Sequence, residues 1–325
     1  MWAQPQLEVN RLSFNHKHLL SMNDLSESDI MTILENAVMF EEVNSRRIKK
    51  VPALRGRTVV NMFFEPSTRT RTSFELAEKR LSCDTINAGG SASSTVKGES
   101  LGDTIATLDA YNVDCFVVRH KYAGAAKLVT QYTDACVIDA GDGKHQHPTQ
   151  ALLDLYSIWR RKGTLEGLKV GIVGDVAHSR VCGSLIRGLH TVGAHVTLIA
   201  PATLLPARPD VLGADATTPY FDEVLPELDV VYMLRVQQER LENSPFPSLR
   251  EYSLLYGLGK SREHLMKKDA IICHPGPINR GVELDSYMAD HPERSVILNQ
   301  VFGGLCVRMS VLYLLLGGAE NGISA

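Results

Sequence analysis

Short apolar runs alternate with helical patterns from one end of the chain to the other. Runs of consecutive apolar residues without a polar face are typical of strands in a parallel sheet that helices cover on both sides. Such runs predict strands at 58–64, 115–119, 136–139, 169–173, 195–199, 230–234 and 270–273. Apolar residues at helical spacing predict helices at 74–81, 101–111, 150–159 and 184–192. The pattern therefore predicts an α/β fold built from doubly wound parallel sheets.

A polar stretch that contains glycines, 160–167, interrupts this alternation and predicts a boundary between two domains. A chain of 325 residues is long enough for two domains, each with its own core. We therefore expect a first domain over residues 1–160 and a second domain over residues 161–295. A last apolar stretch, 299–316, has the spacing of a helix.

The segment between the first predicted strand and the following helix combines hydroxyl groups with arginines. It carries Ser67, Thr68, Arg69, Thr70, Arg71, Thr72 and Ser73. The N–H groups and the positive dipole end at the start of a helix favour an anion, and arginine adds a planar fork that matches phosphate oxygens. The segment predicts a phosphate-binding loop that uses no glycines. The alternative is that Ser67 only caps the helix and that the arginines are solvated surface residues.

Polar motifs follow several of the other predicted strands. Arg119 and His120 end one strand, residues 141–147 follow another, and residues 274–277 follow the last one. Ligands of parallel sheets bind beyond the carboxyl ends of the strands. Because these motifs occur in both halves of the chain, we expect a cleft between the two domains.

The composition narrows the range of partners. Lys and Arg number 34 and Asp and Glu number 37, so the chain lacks the basic excess that binding to nucleic acid or to an anionic membrane requires. We expect no membrane-spanning segment, because no uninterrupted apolar run reaches the roughly 18 residues that crossing a bilayer needs. The first residues show no signal-peptide pattern, and the 6 cysteines include no C-x-x-C pair. We expect a soluble, cytoplasmic protein with reduced cysteines.

Together, the motifs resemble those of the aspartate and ornithine carbamoyltransferase family. The resemblance runs in order through residues 67–71, 97–99, 118–120, 147–150, 235–237 and 274–277. It implies a first domain that binds carbamoyl phosphate, a second domain that binds L-aspartate, and a C-terminal helix, about 296–325, that returns to the first domain. The implied reaction gives N-carbamoyl-L-aspartate and phosphate, an early step of pyrimidine synthesis, and it uses no metal or organic cofactor.

The resemblance also implies residues for carbamoyl phosphate. The positions that match the phosphate site are Ser67, Thr68, Arg69 and Thr70. Arg119 matches an arginine that spans the phosphate and the carbonyl group, and His147 matches a histidine that donates to the carbamoyl oxygen. Gln150 matches the residue that holds the carbamoyl amino group. The implied catalytic set is Arg69, Thr70, Arg119 and His147.

A separate set matches the family's aspartate site. Arg180 matches an arginine that binds the α-carboxylate, and Arg235 and Gln237 match residues that hold the side-chain carboxylate. Pro275 and Gly276 complete this set. Two arginines suit a dicarboxylate, whereas they would repel the cationic side chain of ornithine.

The family also implies an active site shared between subunits. Lys97 matches a lysine that the family donates into the neighbouring subunit, where it serves both substrates, and Ser93 of the same loop is the further residue expected to bind carbamoyl phosphate. The catalytic unit would then be an oligomer, and the homotrimer of the family is the expected form. A regulatory chain or another enzyme of the pathway is a further candidate partner.

Other interpretations stay open at this point. The H-x-H pattern of His145 and His147 also occurs in metal sites, although no matching ligand set follows the later strands. Residues 171–175 follow a strand as a dinucleotide-binding turn does, but they lack the G-x-G-x-x-G spacing. The chain could also be a transcarbamoylase for another amino acid, or a non-catalytic paralogue that keeps the fold.

Overall fold

The computed structural model describes residues 14–89, 99–236 and 248–317. The strands are β1 (Thr58–Phe63), β2 (Asp84–Ala88), β3 (Cys115–His120), β4 (Cys136–Asp142), β5 (Lys169–Val173), β6 (His195–Ile199), β7 (Ala216–Thr218), β8 (Val230–Met233) and β9 (Ile271–Cys273). The helices are α1 (Glu27–Ser45), α2 (Thr68–Leu81), α3 (Leu101–Asp109), α4 (Ala125–Val129), α5 (Pro148–Lys162), α6 (Arg180–Thr191), α7 (Phe221–Val224), α8 (Leu249–Tyr256), α9 (Ser286–Ala289) and α10 (Ile297–Leu316).

The described strands form two separate parallel sheets. The first has the order β2-β1-β3-β4 and the second has the order β7-β6-β5-β8-β9. In each sheet the chain starts at an inner strand, moves outward, and then continues on the other side of that strand. The strand order therefore reverses between β1 and β3 and again between β5 and β8, which are the positions where doubly wound sheets bind ligands. The predicted α/β architecture with two parallel sheets is confirmed.

Two strands were absent from the hydrophobic pattern. β2 and β7 both lie at an edge of their sheet, and most of their residues are exposed or half-exposed. An edge strand has a neighbour on one side only, so it needs fewer apolar side chains than a central strand. Its sequence therefore lacks the apolar run by which the inner strands could be recognised.

Apolar residues cover both faces of each sheet. In β1, Val59 packs into one cluster and Val60 into another, and in β5 the same holds for Val170 and Val173. The largest cluster continues from the first sheet through α5, α6 and α10 to the second sheet. The expectation of one core for each domain was therefore only partly right. Each of the two smaller clusters belongs to a single sheet, whereas the largest cluster includes residues of both sheets.

The C-terminal helix α10 packs against α1, α2 and α5, so it returns to the first sheet as the family resemblance implied. It is 20 residues long with a mean hydropathy of 1.4 over its most apolar window, which by length and composition would suffice to cross a membrane. The sequence-based expectation concerned uninterrupted apolar runs, and this helix is interrupted by the polar residues Gln300, Arg308 and Ser310. Within the fold, 61% of that window is buried, because the helix is enclosed by its neighbours.

Candidate active site

Several of the predicted site residues lie where the strand order of each sheet reverses. In the first sheet, residues 65–70 follow β1 and Arg119 lies near the end of β3. In the second sheet, Arg180 follows β5 and Arg235 follows β8. Contacts between Glu65 and Arg180 join these two positions, so both reversal points border one cleft.

The start of α2 has the properties of an anion site. Ser67 occupies the N-cap position, but its side chain makes no capping hydrogen bond, and no acidic residue lies in the first turn. The Ser67 side chain therefore does not act as the cap that the alternative required. Thr70 is buried, whereas Thr68 and Arg69 are exposed. The helix start thus combines uncapped N–H groups, hydroxyls and a guanidinium group, which together suit a phosphate.

Glu65 holds two of the predicted arginines together. Its Oε1 atom lies 2.8 Å from Arg119 Nε and 2.7 Å from Arg180 Nη1. These two contacts are ion pairs, and Arg180 Nη2 donates a hydrogen bond to Glu65 Oε2 at 3.2 Å. The sequence alone assigns no role to Glu65. The structure shows that it places guanidinium groups of both domains side by side.

The end of β4 forms the floor beneath these guanidinium groups. Gly141 has a φ of +133°, and a Cβ atom at this position would lie 2.8 Å from Arg119 Nη1 and 2.9 Å from Arg180 Nη1. Arg119 Nη1 also donates a hydrogen bond of 3.0 Å to the Ala140 carbonyl oxygen. Position 141 therefore requires glycine for two reasons, the left-handed backbone conformation and the close approach of both arginine side chains.

Buried charges tune the ionisable groups of the floor. Burial, together with the neighbouring Arg180, lowers the pKa of Arg119 to about 10, and the Glu65 carboxylate opposes this decrease. Arg119 therefore stays cationic near neutral pH. Burial raises the pKa of Asp139 well above its ordinary value. Burial therefore favours the protonated carboxyl, which has no negative charge to offset the guanidinium groups.

His147 lies at the N-cap of α5 and is buried. Its backbone N–H donates to Ser184 Oγ at 2.9 Å, which anchors the start of α5 to α6 of the second domain. Burial lowers its pKa well below the ordinary value, and the positive charges of Arg119, Arg308 and Arg180 lower it further. The imidazole is therefore neutral, and a neutral ring can still donate one hydrogen bond to a carbonyl oxygen.

The loop after β5 presents Arg180 at the first position of α6. Asp175, which is buried in this loop, accepts hydrogen bonds from the backbone N–H of His178 at 3.2 Å and from its Nδ1 at 2.8 Å. This pair fixes the turn that leads into the helix. Asp175 therefore shapes the loop that leads to Arg180 through His178, and no contact between Asp175 and Arg180 is seen.

The loop after β9 is held by a buried network. His274 Nδ1 accepts the Gly276 N–H at 2.8 Å, so the ring proton lies on Nε2, which is 3.2 Å from Glu283 Oε1. The same carboxylate oxygen accepts the Asn279 N–H at 2.6 Å. Asn279 Nδ2 donates to the Val236 carbonyl oxygen at 2.9 Å, which ties this loop to the segment after β8.

Gly276 and Arg235 bring the second domain to the phosphate loop. A Cβ atom on Gly276, which has a φ of +65°, would lie 3.3 Å from Arg69 Cζ. Burial lowers the pKa of Arg69, and the positive charge of Arg235 lowers it further, so these two guanidinium groups are neighbours. Pro275 is half-buried in the same loop. The predicted phosphate and aspartate residues therefore meet at Arg69.

The remaining predicted residues have different outcomes. Gln150 lies in the first turn of α5, half-buried, and donates from Nε2 to Asp154 Oδ1 at 3.0 Å. Ser93, Lys97 and Gln237 lie outside the described residues, so their roles stay predictions.

For a metal site, no cluster of three or more His, Cys, Asp and Glu side chains occurs within residues 14–89, 99–236 and 248–317.

The fold and the site define a two-domain α/β protein whose cleft concentrates guanidinium groups, as recognition of phosphate and carboxylate requires. The family profile of the aspartate/ornithine carbamoyltransferase carbamoyl-P binding domain matches residues 17–160, and that of the Asp/Orn binding domain matches residues 166–315. The chain belongs to the aspartate/ornithine carbamoyltransferase family.

Curated relatives and solved structures agree with this membership. The chain is 52% identical over 309 residues to an aspartate carbamoyltransferase catalytic subunit of Syntrophotalea carbinolica, covering 95% of this chain and 98% of the relative. It is 53% identical to that of Sorangium cellulosum over 314 residues, covering 96% of each chain. Aspartate transcarbamoylase of Trypanosoma cruzi in complex with N-(phosphonacetyl)-L-aspartic acid superposes with a TM-score of 0.85 at 31% identity, covering 94% of this chain and 97% of that one.

Proposed function

We propose that this chain transfers the carbamoyl group of carbamoyl phosphate to the amine of L-aspartate, giving N-carbamoyl-L-aspartate and phosphate. The observation that carries the proposal is the convergence of both domains on one cationic cleft. Glu65 joins Arg119 of the first domain to Arg180 of the second, and Arg235 neighbours Arg69 at the start of α2. A dianionic phosphate and a dicarboxylate need this concentration of positive charge.

The first domain supplies groups for the carbamoyl donor. The start of α2 and Arg69 bind the phosphate. Arg119, which lies on the floor of the cleft, reaches both the phosphate and the carbonyl oxygen. His147 donates to the same oxygen as a neutral ring. Negative charge grows on the carbonyl oxygen and on the leaving phosphate during transfer, so donors fixed in advance lower the barrier.

The second domain supplies groups for the acceptor. Arg180 binds the α-carboxylate and Arg235 binds the side-chain carboxylate, which places the amine next to the carbamoyl carbon. The deprotonated amine attacks that carbon, the new C–N bond forms, and the C–O bond to phosphate breaks. The departing phosphate accepts the amine proton. The reaction needs no protein nucleophile, so positioning and charge complementarity supply the acceleration.

The acceptor half favours aspartate over ornithine. An ornithine side chain carries an ammonium group, which would need a free carboxylate near Arg235. Among the described residues, Glu65 is engaged by two arginines and Asp175 by His178, and burial favours the protonated form of Asp139. A cationic side chain would therefore be repelled.

The proposal is tested by assaying the purified chain with carbamoyl phosphate and either L-aspartate or L-ornithine, measuring ureido product and phosphate. We expect turnover with aspartate alone. Turnover with ornithine would contradict the assignment of Arg235 while leaving the phosphate site intact. Turnover with neither acceptor would favour the non-catalytic paralogue.

We further propose that the working unit is a cytoplasmic homotrimer in which Lys97 serves the neighbouring subunit's site, with a regulatory chain or pathway enzyme as an additional partner. The family resemblance supports this assembly. Subunits that carry Lys97→Ala and subunits that carry Arg119→Ala, each inactive alone, should regain part of the activity when mixed and reassembled. No recovery, with mixed oligomers shown to form, would argue for sites within single subunits.

A further inference from the structure

A fully buried carboxylate lies one helical turn beyond Gln150. Asp154 is in the middle of α5, and none of its surface is exposed. Residues four apart in a helix lie on the same face, so the side chains of Gln150 and Asp154 meet. Burying a carboxylate is costly unless its oxygens are hydrogen-bonded, so this residue calls for an explanation.

Three donors from three elements satisfy Asp154. Its Oδ1 atom accepts from Gln150 Nε2 at 3.0 Å and from Gln300 Nε2 of α10 at 2.7 Å. Its Oδ2 atom accepts from the Tyr232 hydroxyl of β8 at 2.7 Å. Each oxygen of the carboxylate therefore has a partner.

These contacts determine which way the Gln150 amide faces. Asp154 accepts from Tyr232 on Oδ2 and from Gln300 on Oδ1, and its ionised form can only accept hydrogen bonds, so the NH₂ end of the Gln150 amide meets it. The carbonyl oxygen Oε1 is then turned away from Asp154. It is the acceptor that Gln150 has left for the NH₂ of a bound carbamoyl group.

The surroundings of Asp154 bring the pKa of its carboxyl close to neutral pH. Burial raises its pKa to about 7, while the hydrogen bonds from Tyr232, Gln300 and Gln150 and the charge of Arg308 oppose the increase. Arg308 itself donates to Ser73 Oγ at 2.9 Å and to the Gly304 carbonyl oxygen at 3.2 Å.

The other ionisable groups that face this carboxyl are Tyr232, Cys182 and Cys273, and burial raises the pKa of each above its ordinary range. All three are neutral near pH 7, so Arg308 is the charged group beside Asp154.

The network also reaches the second domain. Gln300 Oε1 accepts the His274 N–H at 2.9 Å, at the start of the loop that carries Gly276. Tyr232 lies in β8, three residues before Arg235. Asp154 therefore connects the residue for the carbamoyl amino group with the strand and the loop that serve the acceptor.

We propose that Asp154 is a positioning residue that holds Gln150 with its carbonyl oxygen toward the carbamoyl NH₂, so that the site distinguishes a carbamoyl donor from an acetyl donor. An acetyl group has the same shape but carries a methyl group in place of the NH₂, and it cannot donate to Gln150 Oε1. The inference rests on the proposed function of the site. It adds the structural origin of donor selection.

The test compares two stable ligands that differ only in this group, phosphonoacetamide and acetonylphosphonate. Their dissociation constants are measured by calorimetry for the wild type and for Asp154→Leu. We expect the wild type to prefer the amide by about tenfold, the value of one hydrogen bond. Asp154→Leu should bring the ratio of the two constants close to one, because the freed Gln150 amide can rotate.

Matched variants separate positioning from a general effect on folding. Asp154→Asn should keep the preference, because its amide NH₂ can face the Tyr232 hydroxyl while its oxygen still accepts from Gln150. Tyr232→Phe should also keep it, since it removes a hydrogen bond from Oδ2 only. Asp154→Ala is made in parallel, so that poor folding of the leucine variant leaves a second test. In a Gln150→Ala background, Asp154→Ala should cause no further loss of preference.

The outcomes separate this inference from the proposed function. Loss of preference in Asp154→Leu or Asp154→Ala, with Asp154→Asn unchanged, supports the inference. Equal weakening of both ligands with the preference retained would show that Asp154 only stabilises the fold and would overturn it. A wild type that binds neither phosphonate would overturn the proposed donor site, and the inference with it.

Discussion

The two halves of the cleft are built differently. The donor half uses the ends of regular elements: α2 starts at Thr68, Arg119 lies within β3, and His147 caps α5. The acceptor half relies more on connecting segments, since Arg235 follows β8 and Gly276 lies in a loop held by side-chain hydrogen bonds. The helices and strands hold the carbamoyl donor, which is common to the whole family's reaction, whereas the loops can change to accept a different amino acid.

The contacts between the halves show how they depend on each other. Glu65 of the donor half neutralises Arg180 of the acceptor half, and the backbone of Gly276 packs close to Arg69. A change in one half can therefore affect the other. Four predictions test how far the donor and acceptor halves act separately, in order of decreasing effect on activity.

The largest effect is expected for Arg119→Ala. Arg119 is the donor-half guanidinium that borders both domains, so its removal takes away charge stabilisation of the carbonyl oxygen and the leaving phosphate. Steady-state assays should show kcat lowered by about 10²–10³-fold. Arg208→Ala is the matched control, because Arg208 is exposed and pairs with Asp210 on the surface. A tenfold or smaller decrease for Arg119→Ala would remove this residue from the catalytic set.

Arg69→Ala and Arg235→Ala should separate the two halves. Loss of a hydrogen bond to a charged group costs about 1.5–3 kcal/mol, which corresponds to about tenfold to hundredfold in affinity. We expect Arg69→Ala to raise the KM for carbamoyl phosphate and Arg235→Ala to raise the KM for aspartate, with the other substrate affected less. The two residues are neighbours, so some effect on the second substrate is expected. The same changes in both KM values for the two variants would contradict separate donor and acceptor roles for Arg69 and Arg235.

Gly276→Ala should have a smaller effect, confined to the acceptor loop. The residue has a φ of +65°, and the added methyl group would lie 3.3 Å from Arg69 Cζ. A left-handed conformation costs alanine about 1–2 kcal/mol, so we expect the KM for aspartate to rise about fivefold to twentyfold. Pro275→Ala in the same loop is the comparison. An unchanged KM would show that the loop adapts without affecting the acceptor.

Glu78→Gln should leave both substrates unaffected while changing stability. Glu78 is fully buried in α2, and burial raises its pKa from 4.5 to about 7. The folded state therefore favours the protonated carboxyl, and stability decreases as pH rises from about 4.5 to 7. The cost of ionising this buried group is absent in Glu78→Gln.

Urea unfolding at pH 5 and pH 8 checks the Glu78 prediction. The stabilisation by Glu78→Gln should be about 2 to 3 kcal/mol larger at pH 8 than at pH 5. Glu75→Gln is the control, because Glu75 lies on the outer side of the same helix and pairs with Lys79. A gain of equal size at both pH values would show that Glu78 ionises normally in the folded protein.

Much of the donor half could be predicted from local sequence. Arg119 ends an apolar run, and residues 67–73 follow another apolar run and lead into a helical pattern, so their places at the sheet edge follow from topology alone. Glu65 could not be assigned in the same way, because its partners lie on β3 and α6, far along the chain. Asp154 looks like an ordinary polar residue of a helix, and its burial depends on β8 and α10 packing over it.

The measurement that most directly tests whether both halves form one site is calorimetric titration of the wild type with N-(phosphonacetyl)-L-aspartate. This molecule carries a phosphonate for the donor half and two carboxylates for the acceptor half. We predict one molecule bound per chain, with an affinity at least about 100-fold tighter than that of phosphonoacetate or succinate alone, because one molecule occupies both halves at once. An affinity no tighter than that of phosphonoacetate would contradict the shared cleft.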